Sequence, residues 1–416
     1  MPTLSVAVSP ALTPWRRDAE TIGLVGLAHG LSHFCQLIVP PLFPWLASAF
    51  SLSNKQLGAL VSVYFVVSCL GQALAGFVVD RYGARRVLFG GLAAIMLGAL
   101  GLAVAPSYGA MLALMTLGGI GNAVFHPVDY SILNARVSAP RLGHAYAAHG
   151  ITGNLGWALA PVYVAGIAHL SGSWRVALFA VALLVAAVIA LLWWYRDRLT
   201  VDAHRAAPPH AVAAASTAGP LDFLRLPAVW SCFAFFFVYA MVLGGVQSFA
   251  PAAAGRLHGV DPAQVALCLS VYMAAAAVGM VLGGHLVRDA RKSARIVAIG
   301  SAAAACVALA IGLGDWPGSW VPLLFAAMGV GTGIAQPSRD LLVKQATPPG
   351  ATGRVYGVVY SGLDVGMTVA PLLFGALMDA GALRGVWIGI AALQLLLIAG
   401  AFNVKRRWRP FAAATA

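Results

Sequence analysis

Three polar residues fall on one face of the first long apolar stretch of this chain: His29, His33 and Gln36, spaced i, i+4 and i+7. An imidazole titrates near neutral pH, so such a stripe inside a membrane suits a proton carrier or a binder of an anionic group. The His29 and His33 pair also offers two metal donors. No acid or cysteine accompanies them in the motif, and two imidazoles fall short of a metal site, so no metal is expected. His126 and Asp129 lie three apart and share a helical face, and His149 follows in the next stretch. Asp364 is the best-centred acid of any apolar stretch; it can exchange a proton or bond a neighbouring helix. Gln247, Gln336 and Tyr360 add neutral hydrogen-bonding groups, and Asn154 occupies the place of Asp364 in an internal repeat. Histidines therefore gather in one half of the chain and the mid-membrane acid in the other. The first half is expected to manage protons or anionic ligand groups.

The elements that hold these residues are apolar spans. Of 416 residues 60% are hydrophobic and 9% charged, a balance that no soluble protein of this size presents to water. Twelve stretches are long enough to cross a bilayer as helices, near 21–48, 57–79, 87–105, 108–131, 144–169, 174–195, 228–250, 264–287, 296–314, 319–343, 354–378 and 384–404. Strands are excluded because they would be half as long and alternate in polarity. The chain also repeats itself. Gly119, Gly121, Pro127, Gly143, Tyr146, Gly156, Ala160 and Pro161 return in order and spacing as Gly329, Gly331, Pro337, Gly353, Tyr356, Gly366, Ala370 and Pro371. The expected organisation is a tail (1–20), a six-helix bundle (21–195), an Ala/Pro-rich linker (196–227), a second six-helix bundle (228–404) and a short tail (405–416). Duplicated bundles with a cleft between them are how many transporters are built.

Charge gives the orientation. Of the 26 Lys and Arg, only Lys55, Arg175, Arg256 and Arg384 fall on one side of the twelve spans, and the other 22 fall on the side holding both termini. By the positive-inside rule that side is cytoplasmic. The net charge of +13 is explained by topology and anionic headgroups, and no nucleic-acid partner is expected. The five cysteines sit in apolar spans and are odd in number, which argues against a disulfide framework. No nucleotide-binding loop and no nucleophile–base constellation occurs, so neither an ATP-driven machine nor an enzyme is expected, and no cofactor.

Between spans 2 and 3 runs Gly76-Phe77-Val78-Val79-Asp80-Arg81-Tyr82-Gly83-Ala84-Arg85-Arg86. This resembles, at every defining position, the G-x-x-x-D-R-x-G-x-R-R loop of the major facilitator superfamily. A decayed copy, Gly284-His285-Leu286-Val287-Arg288-Asp289, follows in the second half. The resemblance implies an all-α integral membrane fold of twelve helices in two pseudo-symmetric bundles. It also implies a cytoplasmic gate at Gly76, Asp80, Arg81, Gly83, Arg85 and Arg86, to which Asp129 and Arg136 are assigned. Leu31-Ser32-His33, Phe50-Ser51-Leu52 with Gln56 and Gly58, Val124-Phe125-His126-Pro127 and Gly153-Asn154-Leu155-Gly156 are similar to the bacterial fosmidomycin-resistance branch. Span 4 departs from many proton-coupled relatives in lacking an Arg a turn before Gly118-Gly119, and span 5 carries Ala160-Pro161 where Gly-Pro is usual. What the resemblance implies is a monomeric secondary transporter of a bacterial inner membrane, exporting a small drug-like or anionic compound against protons. Proton-coupled uptake of a small organic acid, and a non-transporting membrane sensor, stand as alternatives.

Overall fold

The computed structural model describes residues 14–201, 227–286, 292–346 and 352–414. Fifteen α-helices follow one another: α1 (Pro14–Gln36), α2 (Phe43–Phe50), α3 (Asn54–Tyr82), α4 (Ala84–Val104), α5 (Tyr108–Asn122), α6 (Phe125–Arg136), α7 (Leu142–Ser171), α8 (Trp174–Trp194), α9 (Pro227–Ser248), α10 (Ala250–His258), α11 (Pro262–Leu286), α12 (Ser293–Leu313), α13 (Val321–Ala346), α14 (Thr352–Asp379) and α15 (Leu383–Ala414). Among the described residues there is no strand. Eleven helical stretches are long and apolar enough to cross a membrane, and the count reaches twelve when Asn54–Gln72 and Leu74–Tyr82, the two limbs of a bent α3, are taken as one span. Most of the expected linker, 202–226, and the residues 287–291 that complete the decayed second loop lie outside the described residues.

Three spans drawn as continuous in sequence are broken. The first is α1 and α2 joined through a 3-10 turn at Pro40–Leu42, and the seventh is α9 and α10 with the break at Phe249. Proline explains both breaks, since Pro40, Pro41 and Pro251 lack the N–H that a continuing helix needs. The fourth span divides into α5 and α6 at Ala123 and Val124, just before Pro127. In the repeat, Pro337 is carried inside an unbroken α13.

Packing repeats between the halves. α1 lies along α7 as α9 lies along α14, and α4 packs on α5 and α8 as α12 packs on α13 and α15. The halves meet along two seams, α3 against α14 and α7 against α11. These seams are lined by small residues. A Cβ added to Gly58 of α3 would run into the backbone carbonyl of Pro371 on α14, so the two helices approach closely.

Candidate functional site

α1, α6 and α7 bring four imidazoles and one carboxylate to a single point inside the first half. Asp129 is fully buried, and its Oδ2 lies 3.1 Å from His29 Nδ1 and 3.1 Å from His149 Nε2. The rings of His29 and His149 stack with centroids 3.4 Å apart, and His33 and His126 lie 4.3 Å and 5.4 Å from His29. His33 and His126 form the less buried edge of the cluster. Gly153 makes the approach possible. A Cβ there would stand 2.8 Å from His33 Nδ1 and 3.0 Å from His29 Nε2, inside any normal contact.

Asp129 therefore does not stand with the loop residues to which the sequence assigns it. Arg136, at the end of α6, lies about two turns or ~10 Å further along the helix axis. It reaches instead to the backbone carbonyls of Asp197 and Arg198. The rotation of α6 that buries Val128, Asp129, Ile132 and Leu133 turns the carboxylate inward, away from the arginines.

A neutral network extends from the cluster. Gln36 Nε2 donates to Asn122 Oδ1 at 3.1 Å, Asn122 Nδ2 donates to Ser68 Oγ at 2.8 Å, and Trp157 Nε1 donates to Gln36 Oε1 at 3.0 Å. The Trp157 ring lies 4.3 Å from that of His33, and His126 Nδ1 pairs with Gln72 Oε1 at 2.9 Å. Trp157, Gln72, Asn122 and Ser68 were not among the residues singled out in sequence. Nothing in their spacing marks them, because each is recruited by a partner on another helix.

The remaining candidates are dispersed. Asn154 Nδ2 donates to its own helix at Gly150 O and lies 3.9 Å from Met280 Sδ across the α7–α11 seam. Asp364 sits on α14 at the α3–α14 seam, beside Cys69 of α3. Gln247 is buried beside a cavity of about 380 Å³ between the halves, which Trp45 and His169 line from one side and Arg256 from the other. Gln336 borders a small cleft with Thr332, Arg339 and Gln394. Arg339 occupies the repeat position of Asp129, and its guanidinium lies 4.3 Å from the Tyr239 ring and 5.1 Å from that of Phe236. Counted in sequence only as a topology charge, it is a cation set among aromatics on α13. Tyr360 belongs to α14, but its side chain lies outside the described residues.

The loop between α3 and α4 turns at Gly83, whose φ of +82° suits only glycine. Arg85 Nη1 donates to Thr200 Oγ1 at 2.8 Å and lies 3.7 Å from Asp197 Oδ1, so this arginine is tied within its own half. Gly76, Asp80, Arg81 and Arg86 are exposed, and Asp80 makes no hydrogen bond or ion pair among the described residues. The halves are joined at the other end of α3. Asp379, the last residue of α14, accepts hydrogen bonds from Asn54 N at 2.7 Å, Asn54 Nδ2 at 2.8 Å and Lys55 N at 2.8 Å. Those backbone N–H groups open α3, where no helical carbonyl is available to them. Ser53 and Gln56 form a capping box that satisfies the next N–H, so the start of α3 is rigid before Asp379 reaches it. Ser62 Oγ donates to Thr368 O at 2.7 Å two turns on, and Phe43 meets Phe249 at 5.3 Å nearby. Beyond Cys69, α3 makes no hydrogen bond to the other half among the described residues.

This architecture can be set against known proteins. The sequence profile of the Major Facilitator Superfamily matches residues 25–361 and 253–415. The chain is 30% identical over 378 residues to the uncharacterized MFS-type transporter YfnC of Bacillus subtilis, covering 90% of each chain. It is 32% identical over 185 residues to the fosmidomycin resistance protein of Escherichia coli, covering 44% of this chain and 45% of that one. Among solved structures it superposes with a TM-score of 0.71, at 16% identity, on a bacterial homologue of the human lysosomal transporter Spinster, with 97% of this chain and 98% of that one covered. The repeat, the helix count, the profile match and the shared fold lead to one assignment: this multi-pass membrane protein belongs to the major facilitator superfamily of transporters.

Proposed function

We propose that the chain is a secondary active transporter that exports a small anionic or drug-like compound in exchange for protons, working as a monomer in a bacterial inner membrane. The observation that carries this reading is Asp129, buried between His29 and His149 and continuous through His33 and His126 with the polar face of the first half. Buried groups able to pass a proton among themselves are costly inside a membrane and are kept where they act. Asp364 supplies a second carboxylate on a seam that must rearrange when the halves rock. Arg339 and Gln336 provide a cation and an amide for an anionic substrate group in the second half. Resemblance to the fosmidomycin resistance protein supports export. In this reading the Asn54–Asp379 end is the closed periplasmic side and the Asp80–Arg86 loop is the released cytoplasmic gate.

Everted vesicles energised by respiration test it. A panel of drugs and metabolites that includes fosmidomycin is added while a pH-sensitive dye is followed. One compound is expected to drive dye recovery in the native protein and not in Asp129→Asn or Asp364→Asn. If no compound moves protons through protein shown to be in the membrane, the export reading fails and labelled-metabolite uptake becomes the question. Unchanged proton movement in both variants would remove the carboxylates from the coupling path.

A further inference from the structure

We infer that His29, Asp129 and His149 form a binding site for a late first-row divalent cation of the Zn²⁺ type. In sequence His29 and His33 lack an acidic companion; the fold supplies Asp129 from α6 and His149 from α7. The three ligand atoms lie within 4.8 Å of one another, and so do those of His29, His33 and His126. Donors around tetrahedral zinc, each about 2.0–2.1 Å from the ion, stand roughly 3.3 Å apart. The two nitrogen-to-Oδ2 separations of 3.1 Å are close to that spacing, and the stacked His29 and His149 rings must turn apart for both in-plane lone pairs to meet one ion.

Hydrogen bonding alone leaves part of the arrangement unexplained. A carboxylate that only received two imidazole N–H groups could take one on each oxygen, yet both nitrogens converge on Oδ2. Asp129 Oδ1 is fully buried and has no hydrogen-bond partner among the described residues. An ion held by His29, His149 and one or both carboxylate oxygens accounts for the convergence and the orphan together. The donor set then fixes the class of ion. Imidazoles with one carboxylate suit zinc, cobalt or nickel; there is no thiolate to select Cu(I) and too few oxygens for calcium or magnesium. Two histidines and an acid leave a fourth position open, and His33 and His126 are the imidazoles next nearest to His29.

The inference shares its residues with the transport reading but is tested without transport, so either can fail alone. The full chain, purified with a non-histidine tag, freed of metal and placed in nanodiscs, is titrated with Co²⁺ while ligand-field absorption is read. Expected is one Co²⁺ per chain with the strong visible band of a tetrahedral site, displaced by Zn²⁺. Asp129→Asn and His149→Gln should each weaken binding by about tenfold or more, while Asp315→Asn, on an exposed loop, should bind as the native chain does. No band, or a band that survives both cluster substitutions, overturns the proposal. If those variants do not fold, the native chain still decides. Saturating Zn²⁺ should raise the melting temperature of the metal-free native chain in nanodiscs, and an unchanged melting temperature rules the site out.

Discussion

At the scale of single residues, the cluster depends on an absence of atoms. Gly153 faces His29 and His33 so closely that one methyl group must displace an imidazole, whereas a Cβ on Gly150, one turn earlier, meets nothing within 4 Å. Helix propensity favours Ala over Gly by about 1 kcal/mol at either position. Gly150→Ala is therefore expected to raise thermal stability with transport intact. Gly153→Ala should lower substrate-driven proton flux about tenfold without a matching fall in melting temperature. Native flux from Gly153→Ala would show that the imidazoles tolerate displacement and are not the working groups. Legibility at this scale was uneven. The spacing of His29, His33 and Gln36 marks a shared polar face directly, because a helix carries its own geometry. The gate assignment of Asp129 rests on its place toward the cytoplasmic end of span 4, and only the rotation of α6 against α1 and α7 turns it to the imidazoles instead. Trp157 carries no local mark, since an indole in an apolar span gives no sign that its N–H reaches Gln36.

Among the elements, the contact between α14 and the start of α3 ties the two halves together at one end, and on the proposed transport reading it holds that end of the cleft shut. Hydrogen bonds to a charged group are each worth about 1.5–3 kcal/mol, and an anion at a helix N-terminus adds roughly 0.3–1 kcal/mol. Water replaces part of this when the contact opens, so a net bias near 1.4 kcal/mol, or about tenfold in population, is a reasonable scale. Asp379→Asn is expected to increase the share of chains open at this end by about that factor. Spin labels at Ser171→Cys and Asp315→Cys, in a chain otherwise cleared of reactive thiols, would read it as a longer-distance population; an unchanged distance distribution would sink the idea. Lys55→Ala should have little effect, because the group that bonds Asp379 is the backbone N–H. Helix existence was legible here in almost every span. The breaks at Pro40 and Phe249 were not, since a proline near a span end is equally compatible with a helix that stops there.

For the whole molecule, duplication and charge asymmetry carried most of the fold. The repeat predicts that packing in one half recurs in the other, and the helix pairs α1–α7 and α9–α14 do so. The charge split predicts where the ends lie. A fluorescent protein fused after Ala416 should mature and fluoresce, and alkaline phosphatase inserted at Ser107 should be active; the reverse pattern would invert the orientation and with it the direction assigned to the closed end. The asymmetry between halves was visible only in part. Histidines in one half were plain, but the pairing of Asp129 with Arg339 as repeat equivalents emerged once both were seen turned inward. The Asp379 contact was illegible for a deeper reason: two of its three donors belong to the peptide backbone and leave no signature in residue type. That has an evolutionary consequence. One face of the closure is encoded largely by the mere existence of a helix start, so substitution can roam freely at 55, proline apart, and at 54 costs only the Nδ2 bond, while selection must hold position 379. Descendants of this chain can drift on one side of the joint without renegotiating the other.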